Sequence, residues 1–345
     1  MSSNLIAIRD YLGKYFSELH YSTIQEKYKD TRLDTIFDQR FFVQNNKTQM
    51  VVDASMRGYS LSISGNEIYI SKELYDHPSV VVTNSLEQQQ SLNPRSLYNS
   101  ETFSTLAYLM CQNHLTIEIV DQLDEPIYVK YRSEFETFYS SVVVFRVSEQ
   151  VDVEIIEEIE SLGALNVVAN YVLHPKSRLG LTTFYKNNIS ATSLYYRNIL
   201  LQDDAVYNHI ALGRGAANII DENKIHAGPN STAELLGVID SYGRDFHTIL
   251  YVDPSSTEYN VSVVYKDILK DKGFVTFYPV ITRGGEFSEH ASIEVSNITL
   301  NDIPEDIQKE ETGKFISDIV GRAILARMAG AKRFYESKDR FLQLL

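Results

Sequence analysis

The chain has 345 residues, a formal net charge of −14, 43% hydrophobic residues, one cysteine and no tryptophan. The length exceeds the roughly 100–200 residues of one ordinary domain, so an elongated body with appended ends, or two to three domains, is expected; the apolar share excludes disorder as the main state. The acidic balance speaks against nucleic acid or an anionic membrane as partner, because both call for basic patches, and Cys111 alone excludes an intramolecular disulfide and a thiolate metal cage.

Met1-Ser2-Ser3-Asn4 runs straight into an amphipathic pattern rather than into a basic stretch and an apolar run. No stretch of about 18 apolar residues occurs either, so the sequence predicts no secretory signal, no membrane span and a reducing, cytoplasmic setting. Leu5, Ile8, Leu12, Phe16 and Leu19 recur every three to four positions, the spacing of one helix face. Short strands are expected at Val51-Val52, over 59–64 and over 67–70, then a polar connector over 84–100 carrying Pro94, then a short helix over 103–111.

From Leu115 to about Leu300 the pattern changes to short runs rich in Val, Ile, Tyr, Thr and Phe, with polar or Gly/Pro/Asn breaks every eight to fourteen residues. Strands are predicted over 115–120, 140–147, 167–173, 181–185, 193–200, 210–212, 233–239, 248–252 and 261–265. Two architectures compete. A sandwich calls for hairpin turns such as Asn-Gly, which are scarce here; a stacked parallel β-helix needs only regular rungs with one inward face, and it is favoured. After Asp302 the helical period returns: Pro304 suits a first turn, and Phe315, Ile316, Ile319, Val320, Ala323, Ile324 and Met328 form an apolar stripe flanked by Arg322, Arg327, Lys332 and Arg333. Such a stripe packs on its own domain or fits a partner's groove. The expected organisation is an N-terminal α/β region over 1–114, a β core over 115–302 and a C-terminal helical region over 303–345.

Several pieces, in order, resemble the core of the SufB and SufD iron–sulfur cluster assembly proteins. They are Phe103-x-x-Leu106-x-x-Leu109, the segment Asp124-Glu125-Pro126-Ile127-Tyr128-Val129, Asp203-Asp204-Ala205 before a strand ending at Gly213, the double rung Ile225-His226-Ala227-Gly228-Pro229-Asn230-Ser231 with Ala233-Glu234-Leu235-Leu236-Gly237, and Tyr265-Lys266-Asp267-Ile268-Leu269. The resemblance implies a right-handed parallel β-helix with small helical ends, in which Gly213, Gly228 and Gly237 supply positive φ or close approach between rungs. It also implies a non-catalytic scaffold that docks a SufC-like ATPase through the C-terminal helix, with Phe315, Ile319, Arg322, Ile324 and Arg327 as the contacting residues. The β-helix would pair with a SufB-like subunit or with a second copy.

Ser288-Glu289-His290-Ala291-Ser292-Ile293 stands near the place where SufD-like relatives carry a Cys-Ser-His motif and SufB-like relatives a Glu-His-Glu motif. His290 is therefore the nearest match to the family's functional histidine, with Glu289 beside it, while Phe287 stands where the cysteine is expected. With one cysteine in the chain, no stably bound cofactor is expected; iron or an iron–sulfur cluster would meet the protein transiently at a subunit interface. The segment between Lys266 and Glu289 is shorter than in the family, which favours a specialised SufD-like subunit.

Other constellations read as structure. Asp203 and Asp204 are adjacent, so on a strand they would point to opposite faces, and a turn is the simpler reading. His226 and His247 could approach one another across rungs. Gly213-Arg214-Gly215 lacks the third glycine of a dinucleotide fingerprint, and no phosphate-binding loop occurs. Two rival functions remain at this point: a β-solenoid carbohydrate-active enzyme, which would gather Asp, Arg or Lys on one rung face, and a trimeric structural β-solenoid, which the amphipathic ends argue against. The 23 tyrosines have no explanation at this level.

Overall fold

A pleated strand sends alternate side chains to opposite faces, and β-branched and aromatic residues fit its crowded, half-buried surface. Those residues dominate the chain after His114. The computed structural model describes residues 42–43, 49–64, 67–84, 107, 114–134, 137–187, 191–215, 218–242, 245–255, 258–270, 274–281, 291–299, 310, 314 and 317. The first segment forms β1 (Phe42–Val43), β2 (Gln49–Asp53), β3 (Ser60–Ser64), β4 (Glu67–Ser71), the short helix α1 (Lys72–Tyr75) and β5 (Val80–Asn84). Next come β6 (His114–Ile119), β7 (Ile127–Ser133), β8 (Thr137–Val147), β9 (Asp152–Ser161), β10 (Ala164–Leu173), β11 (Arg178–Asn187) and β12 (Thr192–Leu201). The series ends with β13 (Val206–Gly215), β14 (Asn218–Ala227), β15 (Ser231–Tyr242), β16 (Asp245–Pro254), β17 (Tyr259–Lys270), β18 (Phe274–Ile281) and β19 (Ala291–Thr299).

Successive strands never pair along this series; they alternate between two sheets. One sheet runs β18-β16-β14-β12-β10-β8-β6-β5 with β1 beside β8, and the other runs β19-β17-β15-β13-β11-β9-β7-β3-β4-β2. We call them the even and the odd sheet. From β6 and β7 onward every pairing is parallel and each strand adds one layer, which makes a parallel β-helix of about 5 turns. The antiparallel pairs β3–β4 and β5–β6 close the N-terminal end, and β3 bonds directly to β7. Among the described residues no helix is long and apolar enough to cross a membrane.

One coil takes 26 or 28 residues: Glu157 stacks under Thr183, 26 residues on, and Asn170 under Asn198, 28 residues on. The period is fixed at one corner of each coil. Gln150, Lys176, Asp204 and Asn230 have φ of 63°, 61°, 58° and 55°, in the left-handed region, and each follows two residues that open a tight turn. Val151, Ser177, Ala205 and Ser231 close those turns with N–H donation to the carbonyls of Ser148, His174, Gln202 and Gly228. The left-handed residue then turns its own N–H along the helix axis: Gln150 donates to Pro175, Lys176 to Asp203, Asp204 to Pro229 and Asn230 to Glu258. Asn and Asp tolerate this conformation best, and the ladder of axial bonds offsets its cost at Gln150 and Lys176. The Asp203-Asp204 pair is thus a turn, as its adjacency predicts.

Positive φ, one of the two roles expected of the three glycines, is corrected: Gly213, Gly228 and Gly237 do not adopt it, and the corners use the four non-glycine residues instead. Gly228 opens a corner, where a Cβ would lie 2.5 Å from the Leu201 carbonyl oxygen. Gly237 lies within β15, where a Cβ would lie 2.3 Å from Cε1 of the Tyr265 ring on the next coil. Gly213 lies inside β13, between Tyr185 and Ile239 in register.

Inward residues such as Val143, Val167, Ile155, Leu181, Leu235 and Val263 form one continuous core along the axis. The outer face of the odd sheet changes along the same axis. Its first coils show Lys130, Arg132, Glu158, Glu160 and Lys186 in a lattice of ion pairs between 2.7 and 3.3 Å. Its later coils show Ile210, Leu212, Leu236 and Val238, each no more than 1% exposed.

Candidate functional site

Of the sequence-predicted site residues, Glu289 and His290 lie outside the described residues, directly before β19. Phe315, Ile319, Arg322, Ile324 and Arg327 lie outside them too. Within that last stretch Glu310, Lys314 and Ser317 are helical and exposed, and Lys314 Nζ lies 3.0 Å from Glu310 Oε1. The structure does not bring His226 and His247 together. In the even sheet His226 stands opposite Asp253, whereas His247 stands opposite Ile220, six residues away and roughly 20 Å along the strand at about 3.3 Å per residue. His226 instead pairs through Nδ1 with Asp253 Oδ2 at 3.3 Å. Burial, and then the nearby Lys224 charge, hold the His226 imidazole below its usual range.

The most elaborate constellation lies inside the β-helix, at residues the sequence pattern does not single out. The alternation of β9 turns Glu157 inward, and Arg197 from β12 and Asp221 from β14 face it across the interior; all three are fully buried. Arg197 donates through Nη2 to Glu157 Oε2 at 3.1 Å and to Thr183 Oγ1 at 2.9 Å, and through Nη1 to the Tyr185 hydroxyl at 3.1 Å and to Asp221 Oδ1. Its guanidinium carbon lies 4.0 Å from the centre of the Tyr195 ring, a cation–π contact. Glu157 Oε1 accepts from the hydroxyls of Tyr171 and of Tyr195, the latter at 2.6 Å. A charge this deep persists only when paired and hydrogen-bonded, and this guanidinium is both.

Thr183 sets a tautomer. Its hydroxyl carries one proton, which goes to Glu157 Oε2 at 3.0 Å, while its oxygen accepts from Arg197. His209 Nε2, 3.0 Å from the same oxygen, is then a donor, which places the proton on Nε2 and leaves Nδ1 bare and without a partner among the described residues. Burial, and then the Arg197 charge, hold His209 well below the usual imidazole range, so it is neutral. Burial raises the Asp221 carboxyl, with Arg197 opposing that shift. Burial likewise raises the phenols of Tyr171, Tyr185, Tyr195 and Tyr207 well above their ordinary range.

Chemically the cluster is a single buried cation held between two carboxylates and walled by aromatic rings. It offers fixed charge and fixed protons rather than a nucleophile or an open ligand position. Among the described residues no group of three or more His, Cys, Asp and Glu converges as a metal site. A surface groove of about 340 Å³ lies at the corner side of the odd sheet, lined by Asp124, Glu125, Asp152, Glu154, Arg178 and Asn208 among others. At its edge the Tyr59 hydroxyl donates to Asp124 Oδ1 at 2.6 Å, and that bond pushes the Tyr59 phenol up to about 12.

Sequence comparison adds one finding to this geometry. Residues 131–285 match the family described as SUF system FeS cluster assembly, SufBD core domain, so the match begins in β7 and ends just beyond β18. Comparison with curated proteins yields no match.

Proposed function

Because the chain belongs to the SufB/SufD family, whose core domain is a β-helix, we propose that it is a non-catalytic scaffold subunit of a SUF-type iron–sulfur cluster assembly complex. A role in SUF FeS cluster assembly follows from the SufBD core. The finer reading is that the C-terminal helical region over 303–345 docks a SufC-like ATPase, and that the β-helix pairs with a SufB-like subunit or a second copy. The observation that supports it is the coincidence of the family match with the stacked coils from β7 to β18. The interior cluster suits a scaffold: its charges are mutually satisfied and serve to pin neighbouring coils rather than to act on a substrate.

In this reading the cluster is cargo. Iron–sulfur clusters are held by several cysteine thiolates, and this chain has only Cys111, so thiolates from a partner would carry most of the ligation. His290 and Glu289 would contribute from the segment before β19, at the subunit interface.

The test is co-purification of the full chain and of a chain truncated after Asp302 with a SufC-type ATPase. Binding by the full chain and its loss on truncation supports the scaffold reading. Failure of the full chain to retain the ATPase removes it. The acidic groove beside Arg178 is the observation that favours the rival, a carbohydrate-active solenoid, and glycan binding abolished by Arg178→Ala would establish that reading instead.

A further inference from the structure

Alternate residues of β13, β15 and β17 point away from the core, and five of them are apolar. Ile210, Leu236 and Val264 stand in one column of the register, and Leu212 and Val238 in the next. All are buried: Val264 is 7% exposed and the other four are 1% or less. None belongs to the interior core, and among the described elements no helix or strand lies across this face. An outward sheet face of this composition is shielded from water only when an apolar layer packs on it.

We propose that this layer is the chain's own C-terminal segment, whose apolar stripe Phe315, Ile316, Ile319, Val320 and Ala323 docks on the odd sheet over β13 to β17. Connectivity singles out the occupant. The chain leaves the β-helix from β19, which pairs with β17 at the edge of the odd sheet, so the residues after Thr299 start beside the patch. The other long flanking segments join the even sheet: the N-terminal one enters at β1, beside β8, and the connector over 85–113 joins β5 to β6. Dimensions agree. The stripe from Phe315 to Met328 rises roughly 20 Å at about 1.5 Å per residue. Four strands, β11 to β17, span roughly 14 Å at about 4.8 Å per step.

The exposed residues of the helix fit the same geometry. Glu310, Lys314 and Ser317 are spaced i, i+4, i+7, which puts them on one face, and all three are exposed. At the same pitch Phe315, Ile319 and Ala323 fall roughly half a turn away. Docked in this way, the helix shows its partners the Glu310, Lys314 and Ser317 face and keeps the stripe for its own sheet. The packing does not depend on the assembly reading, and its test uses the full chain with no partner.

The experiment compares trypsin digestion of the full-length protein with that of Ile319→Glu, reading release of fragments cut after Lys314, Arg322 and Arg327 by mass spectrometry. Proteolysis follows the population of the open form, so cleavage at these sites should speed up about tenfold or more, while the β-sheet circular dichroism is unchanged. Binding of a hydrophobic dye should rise in parallel as the face is uncovered. Leu236→Glu alters only the sheet side of the contact and should open the same sites. Unchanged protection in both variants overturns the proposal, as does a Leu236→Glu chain whose new cuts fall at Arg9 or Lys14, since that assigns the face to the N-terminal segment.

Discussion

Glu157 and Glu158 are consecutive residues on β9, and they carry the same carboxylate into opposite surroundings. Glu157 points into the β-helix and meets Arg197, Thr183, Tyr171 and Tyr195 with no exposed surface. Glu158 points out to Lys130 at 3.0 Å and Lys186 at 3.1 Å, with about a third of its side chain in water. Burial raises the Glu158 carboxyl, but the two lysines outweigh it, so the group sits below its usual range. The outer lattice forms and breaks in high dielectric, where each pair contributes little. The inner cluster has no water to fall back on, so each member depends on the others.

Removing the inner cation should have the largest effect. Arg197→Met leaves Glu157 and Asp221 buried without their counter-charge, and chemical denaturation should show a loss of about 3–5 kcal/mol. Restoring neutrality with Glu157→Gln and Asp221→Asn in the same chain should recover most of that loss; if it does not, the guanidinium acts by packing and not by charge. Volume inside is the next sensitivity. Gly237→Ala drives a methyl into the buried Tyr265 ring, at an expected cost of about 1–3 kcal/mol in the same assay.

Acid probes the inner side through His209. Its folded-state range lies below the unfolded one, so its contribution is complete above the unfolded value near 6.5 and is lost as pH falls below it. Stability measured between pH 7.5 and 5.5 should therefore drop by up to about 1.4 kcal/mol per pH unit from this group, and His209→Gln should flatten the slope by that amount. The outer lattice should respond least. Lys130→Ala or Glu158→Gln should each cost under about 1 kcal/mol and vanish in high salt. A larger, salt-resistant loss there would mean that the two faces differ less than their burial indicates.

The strands legible in the sequence are those whose inward positions are apolar, such as β10, with Leu165, Val167, Ala169 and Tyr171, and β17, with Val261 and Val263. The pattern missed β9 and β14 because Glu157, Asp221 and Asn223 occupy inward positions and break the apolar alternation that marks a strand. The cluster itself left no local signal: Arg197 lies 40 residues from Glu157 and 24 from Asp221, distances set by the coil period and not by any helix or hairpin spacing. The tyrosine count gains a partial explanation here. Tyr131, Tyr171, Tyr185, Tyr195, Tyr207 and Tyr265 are among the largest fully buried side chains, and three of them hydrogen-bond to the charged groups.

The left-handed corners make the fold a counting device. Each corner hands one backbone hydrogen bond to the coil above it, so a single inserted residue would shift every later column of the core, whereas an inserted whole coil would only lengthen the stack. Lineages of this protein can then change length only in steps of one coil, and each step moves the two ends apart by about 4.8 Å. The distance between whatever binds at one end and whatever binds at the other is in this sense quantised, with the coil as its unit.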